Sequence, residues 1–359
     1  RYKSKPIGIN ANATMVWVKE HNYPTAVRRS LQELFDLGLE KMPIATMAVH
    51  GKVEQLTRMT KLDQWFTEVK TRSIVASAYC MAAIFSPMFI EIKKRFKDSL
   101  HDTVIYTDGY TPEQLNARCS VVGDARYIIE DDLSKQDAAT TWLILHTEYM
   151  AYKDLGADEE DLELYFWCHA NWSWKGRGMS GYWDAMRLTG QPTTALGNAI
   201  TNLIVHNRFY LKNRQHILLL LILGDDNVMF SNKLLDVSEH GTVTKNLYNI
   251  MSKVSQKERV GQYLSMIVHT LDGIIQFCPD FMRLRHRFSV CNYAFSMKDR
   301  EEKLTQRELS YCFMLGSIKE SKDHASKIAP HATIPDWYNV NNAILANSMY
   351  YDVGEEEVR

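Results

Sequence analysis

The apolar run Ile217 to Leu223 and the shorter run Val228-Met229-Phe230 flank a polar stretch, Gly224-Asp225-Asp226-Asn227. Two apolar runs joined by turn-forming residues predict a β-hairpin with two carboxylates at its tip. Tyr127-Ile128-Ile129 predicts a short strand leading into Glu130-Asp131-Asp132. Elsewhere the spacing is helical: Asp63 to Lys70, Pro87 to Leu100, and Ala138 to Leu155 with Gly156 as a stop. A loop, Thr189-Gly190-Gln191-Pro192, runs through Thr193-Thr194-Ala195-Leu196-Gly197-Asn198 into an apolar helix reaching about Val205. A further helix from about Lys245 is expected to carry Lys253 and Lys257 near its end.

Composition narrows the class. Hydrophobic residues make up 45% and charged residues 24% of the 359, the balance of a globular protein. The net charge of −1 argues against nucleic-acid binding by bulk positive charge, so basic residues must act locally. They do cluster, at Lys93-Lys94-Arg95-Phe96-Lys97 and Arg283-Leu284-Arg285-His286-Arg287, while Asp158 to Glu163 and Glu355-Glu356-Glu357 are acidic. The cysteines are irregularly spaced with no Cys-x-x-Cys pair, which indicates reduced thiols rather than a zinc or disulfide framework. No apolar run approaches the ~20 residues of a membrane span, and nothing resembles a signal peptide. No repeat or linker separates domains, so one continuous enzyme body is expected. A start on Arg1 and an acidic end read as a piece of a larger polyprotein.

Adjacent Asp225 and Asp226 repel each other unless a cation or proton intervenes. An isolated Asp-Asp pair is most simply a solvated turn. Here it has company. Asp132 ends a second apolar strand, and Asp137 follows it in an Asp-x4-Asp arrangement. A carboxylate at one strand end facing carboxylates on a neighbouring hairpin suits two magnesium ions, which take oxygen ligands and bind phosphates.

The series Asp132-x4-Asp137, then Thr189-Gly190-x3-Thr194-x3-Asn198, then Gly224-Asp225-Asp226 resembles motifs A, B and C of viral RNA-dependent RNA polymerases. Lys70-Thr71-Arg72-Ser73-Ile74-Val75 looks like motif F, and Phe277-Cys278-Pro279-Asp280-Phe281 like the Phe-Cys form of motif E. With Ser134-Lys135 inside motif A, that form is similar to the alphavirus-like group of positive-strand RNA viruses, which includes closterovirus-like and virga-like members. The resemblance covers roughly residues 70 to 290. Two departures stand out: Gln136 where a hydrophobic or aromatic residue is usual, and Asn198-Ala199 where Asn-Thr is common. Ser180-Gly181 mimics the start of motif B at the wrong spacing and reads as a loop before it.

The resemblance implies an α+β right-hand polymerase with fingers over 1–125, a palm of antiparallel sheet and helices over 126–285, and a short or truncated thumb over 286–359. It implies nucleotidyl transfer from NTPs, with Asp132, Asp225 and Asp226 as catalytic metal-holding residues and Mg²⁺, or Mn²⁺ as substitute, as cofactor. Lys70, Arg72, Asp137, Thr194 and Asn198 would contact the NTP, Asp137 and Asn198 reading the ribose 2′-hydroxyl. Lys257, with Lys253 as its rival, would be the general acid toward pyrophosphate. Gly190, Cys278, Arg283 and Arg285 would meet RNA, although a solvated face explains the arginines equally well. Trp167, Trp172, Trp174 and Trp183 read as packing rather than a base-stacking platform. Expected partners are template and product RNA, NTPs and other replicase domains, methyltransferase and helicase, of one polyprotein. The expected place is the host cytoplasm, at membrane-associated replication complexes reached through other replicase parts.

Rival readings remain open at this point. A reverse transcriptase would lack the Asp137 and Asn198 pair and usually carries an aromatic residue before Asp-Asp, where Leu223-Gly224 stands here. An inactive RNA-binding scaffold derived from a polymerase would be expected to have lost a carboxylate. An unrelated metal-dependent hydrolase would not bring Gly-x3-Thr-x3-Asn between the two acidic sites.

Overall fold

The computed structural model describes residues 5–39, 46–51, 73–76, 79–134, 136–170, 172–176, 178–183, 185, 187–188, 190–289 and 297–356. The chain begins with α1 (Ala11–Glu20) and α2 (Thr25–Leu37), followed by β1 (Thr46–Gly51), β2 (Ser73–Ala76), α3 (Tyr79–Ser99) and β3 (Val104–Tyr106). Then come α4 (Pro112–Cys119), β4 (Tyr127–Ser134), α5 (Gln136–Ala139), α6 (Trp142–Asp154) and α7 (Glu159–Ala170). The hairpin β5 (Trp172–Gly176) and β6 (Met179–Trp183) precedes α8 (Thr194–Asn213). The second half holds β7 (Ile217–Leu223), β8 (Asp226–Ser231), α9 (His240–Tyr248), β9 (Met251–Glu258), β10 (Val260–Tyr263), β11 (Met266–His269) and β12 (Gln276–Pro279). Four helices close the chain: α10 (Phe281–Ser289), α11 (Met297–Met314), α12 (Lys319–Ile328) and α13 (Val340–Glu356).

Local chemistry explains many boundaries. Thr111 accepts from Gln114 N–H while the Gln114 side chain accepts from Thr111 N–H, a capping box that starts α4 with Pro112 at its first position. Gly156, at φ +87, ends the helical stretch where expected, although that stretch is split into α5 and α6 with Thr141 capping the second. Helix α3 starts at Tyr79, before the expected Pro87, because Met81, Ile84 and Phe85 bury a first turn that outweighs the start signal of the proline. The helix expected from Lys245 through Lys257 is corrected. Helix α9 stops at Asn249, which adopts the left-handed conformation (φ 56), and the residues beyond it alternate as strand β9. Ser180-Gly181, expected in a loop, lies on β6. Residues 63–70 fall outside the described residues.

The central sheet has the order β3-β7-β8-β4-β9. Strand β7 is apolar throughout because both of its faces are covered. Leu220 and Ile222 join Met229, Ile129 and the helix residues Phe85, Met88, Leu196 and Ile200 in one core. Leu219 and Leu221 join Val228, Phe230, Ile128, the sheet β10-β11-β12 and Ala343 and Ala346 of α13 in a second. Strand β3 lies on the N-terminal side of the boundary expected at 125, yet it pairs in parallel with β7 through Val104↔Leu220. The β5–β6 hairpin, inside the range expected for the palm, belongs to a separate sheet, β2-β1-β5-β6. The described Cys80, Cys119, Cys278 and Cys312 are buried free thiols.

Candidate active site

The hairpin turn consists of Gly224 and Asp225 alone, since Leu223 pairs with Asp226. Gly224 carries φ +62, the first position of a type II′ connection, where glycine is strongly favoured. Tightness at this turn brings Asp226 directly opposite Asp132 across the β8–β4 ladder. Cross-strand partners of this kind keep their side chains on one face, with Cβ atoms about 4.5–5.5 Å apart. Asp132 is 74% exposed, and Lys253 of β9 reaches it with Nζ 3.9 Å from Oδ2. Asp226 keeps contact with solvent, but its carboxyl is pushed up to about 6 by partial loss of water, with Asp225 and Asp132 adding to the effect. Three converging carboxylates, two of which raise the proton affinity of the third, supply the all-oxygen donor set a hard divalent cation takes. The sequence-predicted residues Asp132, Asp225 and Asp226 are therefore brought together and could hold such ions.

Helix α8 supplies the second half of the site. Asn198 is 4% exposed, and its Nδ2 donates to Asp137 Oδ1 at 2.8 Å. Its Oδ1 is a buried acceptor with no hydrogen-bond partner. Gln136 is no defect of motif A: it is buried, and its Nε2 donates to the Asn198 carbonyl at 2.9 Å, a polar tether in the place of an apolar contact. Thr194 Oγ1 lies 2.6 Å from Leu188 O and 3.1 Å from Gln191 O, so it closes the loop before α8. Gly190 is exposed at the turn of that loop.

One turn further along α8, about 6 Å in axial rise, Asn202 Nδ2 donates to the carbonyls of Gly224 (3.2 Å) and Asp225 (3.1 Å). Asn227 Nδ2 in turn donates to Asn202 Oδ1 and to Asp131 O, both at 3.1 Å. The carboxylate-bearing turn is thus pinned to the helix that carries Asn198. A further turn on, His206 Nε2 lies 2.8 Å from Asp131 Oδ2, which His240 Nε2 also approaches to 3.2 Å. Ser252 Oγ contacts both Asp131 oxygens, at 2.7 and 2.6 Å. Burial alone would raise the Asp131 carboxyl, but its contacts with His206, His240 and Ser252 hold it well below the usual range. None of Asn202, His206, His240 or Ser252 was singled out by the sequence reading. A signal existed in the stripe Asn198, Asn202, His206 at four-residue spacing along one face of an otherwise apolar helix.

Arg187 was missed too. Its guanidinium forms a fully buried ion pair with Glu148, which also accepts from Tyr152 OH at 2.5 Å, while its backbone N–H donates to Asp137 O at 3.3 Å. A side chain at Gly197 would collide with Arg187 and Glu148, so glycine is required where α8 passes the ion pair.

Other predicted residues part from the site. Lys257 pairs opposite Ile128, about 13 Å along β9 from Lys253, with its Nζ 3.2 Å from Glu130 Oε2. Lys253 opposite Asp132 replaces it as the lysine at the carboxylates. Cys278 is fully buried and its thiol is pushed up to about 12 by burial, so its side chain is withdrawn from solvent. Its side chain packs between sheets instead. Arg283 is half-buried at the start of α10, where its N–H bonds Asp280 Oδ1 at 2.9 Å, and Arg285 is exposed on the same helix. Lys70 and Arg72 lie outside the described residues. In the basic run of α3, Arg95 bonds the carbonyls of Leu155 (2.9 Å) and Lys5 (2.6 Å), and Lys93 pairs with Asp108 at 2.6 Å. Trp174 packs against Gly181, and Trp167 is exposed.

The chain resembles solved and curated proteins of one kind. Its fold is similar to the RNA-dependent RNA polymerase of a human picobirnavirus, with a TM-score of 0.57 and 14% identity over 72% of this chain and 51% of that one. An insertion-loop deletion mutant of the same polymerase matches with a TM-score of 0.57 and 13% identity over 88% of this chain and 61% of that one. In sequence it is 28% identical over 207 residues to the RNA-directed RNA polymerase 2a of olive latent virus 2, covering 56% of this chain. It is 24% identical over 216 residues to the replicase large subunit of turnip vein-clearing virus, covering 58% of this chain. The matched parts span only 25% and 13% of those relatives' own lengths. A family model described as RNA dependent RNA polymerase matches residues 1–301. On that match, with its motifs in order and its carboxylates gathered at one sheet end, the chain belongs to the RNA dependent RNA polymerase family of the alphavirus-like group.

Proposed function

We propose that this chain is the catalytic core that extends an RNA strand on an RNA template, adding nucleotides from NTPs during viral genome replication and transcription. The observation that carries the proposal is the coupling of two half-sites: Asp226 stands opposite Asp132, and Asn202 ties the Asp225 turn to the helix that presents Asn198 to Asp137. Phosphoryl transfer asks a protein mainly for charge neutralisation and positioning. Asp132 and Asp225 would hold two divalent ions, Mg²⁺ or Mn²⁺, with Asp226 in support. Such ions, when bound, activate the attacking hydroxyl and neutralise the leaving pyrophosphate. The chain's own residues do the rest. Asp137 and the buried Oδ1 of Asn198 offer hydrogen-bond partners to a ribose 2′-hydroxyl. Thr194 keeps the loop before them closed, and Lys253, with Nζ 3.9 Å from Asp132, would serve as the proton donor to pyrophosphate.

In this reading the central sheet, β3 included, is the palm. The sheet β2-β1-β5-β6 with α1 to α3 belongs to the fingers, and α10 to α13 form the thumb. Lys70 and Arg72 would meet the triphosphate, and Gly190, Arg283 and Arg285 the RNA backbone. Partners would be template and product RNA, with methyltransferase and helicase domains of the same polyprotein, in membrane-associated complexes of the host cytoplasm. Among the described residues no helix is long and apolar enough to cross a membrane. The Asn198 to Asp137 bond and Leu223-Gly224 before the carboxylates speak against a reverse transcriptase, and the intact carboxylates against an inactive scaffold.

The test is primer extension on an RNA template with Mg²⁺ and ribonucleotides, beside Asp225→Ala. Incorporation by the wild type that the variant loses is expected. Equal incorporation by both, or none by the wild type with either Mg²⁺ or Mn²⁺, would overturn the proposal.

A further inference from the structure

Directly behind the face that carries Asp132, three buried side chains aim donor atoms at one point. Asp131 Oδ2, His206 Nε2 and His240 Nε2 come from β4, α8 and α9, and all lie within 4.8 Å of one another. The hydrogen-bond pattern dictates the tautomer of His206. Its Nδ1 lies 2.8 Å from the Asn202 carbonyl oxygen, which only accepts, so Nδ1 carries the proton. A neutral His206 therefore turns the lone pair of Nε2 toward Asp131 Oδ2, another acceptor, at 2.8 Å. Two acceptors facing each other in a water-poor interior repel unless a cation stands between them. Either a second proton on His206 or a metal ion meets that need.

We propose that Asp131, His206 and His240 form a structural site for a transition-metal ion of the zinc class, separate from the catalytic carboxylates. Two features favour metal over proton. A proton shared by His206 and Asp131 needs no second imidazole, yet His240 Nε2 converges on the same carboxylate oxygen at 3.2 Å. A backbone carbonyl on the far ring nitrogen and a hydroxyl on the carboxylate, here Asn202 O and Ser252 Oγ, are the outer contacts that orient metal ligands. The mixed nitrogen and oxygen donors suit zinc rather than magnesium, which sets the ion apart from the one proposed at Asp132 and Asp225. Bonds of about 2.0–2.1 Å in a tetrahedral arrangement separate ligand atoms by roughly 3.3 Å, so the two contacts to Asp131 Oδ2, at 2.8 and 3.2 Å, need open by only about half an ångström or less. Ser252 Oγ or a water would complete the four positions.

An ion here would staple three elements one residue from Asp132 and, through His206 and Asn202, brace the Gly224-Asp225 turn. The inference does not depend on the polymerase reading, because its test reads metal content rather than nucleotide incorporation. The full chain, purified in metal-scavenged buffer, is expected to retain about one zinc-class ion, measured by plasma mass spectrometry. Cobalt exchanged into it should give the visible bands of imidazole coordination. Asp225→Ala should keep the ion and His240→Gln should lose it. Should His240→Gln fail to fold, the wild type still decides: zinc added after chelation should raise Tm by roughly 2–4 °C or more. A wild type without stoichiometric metal whose Tm ignores zinc, or a folded His240→Gln that keeps the ion, would overturn the proposal. His206 would then be an imidazolium paired with Asp131.

Discussion

Asp131 and Asp132 are consecutive residues of one strand, and the pleat sends their side chains to opposite faces of the sheet. Asp131 is 5% exposed and enclosed by His206, His240 and Ser252, with its carboxyl held well below the usual range. Asp132 is open to solvent opposite another carboxylate, in a group of acids where Asp226 is pushed up to about 6. The first environment fixes its carboxylate among buried partners. The second leaves negative charge crowded, which disfavours the bare protein and favours whatever cation arrives. One face is built for permanence and the other for exchange.

The sharpest way to break this contrast is to remove a carboxylate from each side. On the exposed face, Asp132→Ala and Asp225→Ala are each expected to lower nucleotide incorporation by about 10³-fold or more, since charge neutralisation carries most of the barrier lowering. Urea unfolding of these variants should be unchanged or slightly improved. On the buried face, Asp131→Ala leaves His206, His240 and Ser252 without the carboxylate they share, and the expected loss is about 3–5 kcal/mol in the same unfolding measurement. If the two results exchanged places, the division of labour would be wrong.

A smaller effect belongs to the Asn198–Asp137 pair. Asn198→Ala should reduce the preference for ribo- over deoxynucleotides by roughly fivefold to a hundredfold, because an unpaired buried polar group costs about 1–3 kcal/mol. The ratio of kcat/KM for one matched pair on the same template measures it. The loss should come from slower ribonucleotide use. An unchanged ratio would make Asn198 a structural tether like Gln136.

The smallest effect concerns Asp226 without metal. Its folded-state carboxyl titrates near 6 against an ordinary value of 3.8, so between those values the native state binds more protons than the unfolded chain. Stability in chelating buffer should therefore fall as pH rises through that window. Asp226→Asn should remove the slope and gain about 1 kcal/mol or less above pH 6, because solvent screens the group. Chemical denaturation at pH 4.5 and 7.5 compares the two proteins.

Features decided over short stretches of chain were legible beforehand. The glycine at the hairpin tip, the apolar runs beside it and the loop before α8 each depend on neighbours a few residues away, and each appears where expected. The lysine near the carboxylates was not legible. Helix or strand for Met251–Glu258 was settled by Asn249 reversing the chain and by an open edge of β4 waiting to be paired, and only the second fact selects Lys253 over Lys257.

By itself, then, the sequence determined which motif residues are candidates for the chemistry and in what order they come, because motifs of acids, glycines and amides are written in consecutive positions. The tertiary structure alone decided which acid is buried and which is open, and who answers the buried one. Asp131 meets His206 and His240 across 75 and 109 residues of chain. Partners so distant are chosen by the packing of α8 and α9 against the sheet, where an unpaired buried charge would be costly and any residue able to satisfy it is equally readable from the chain.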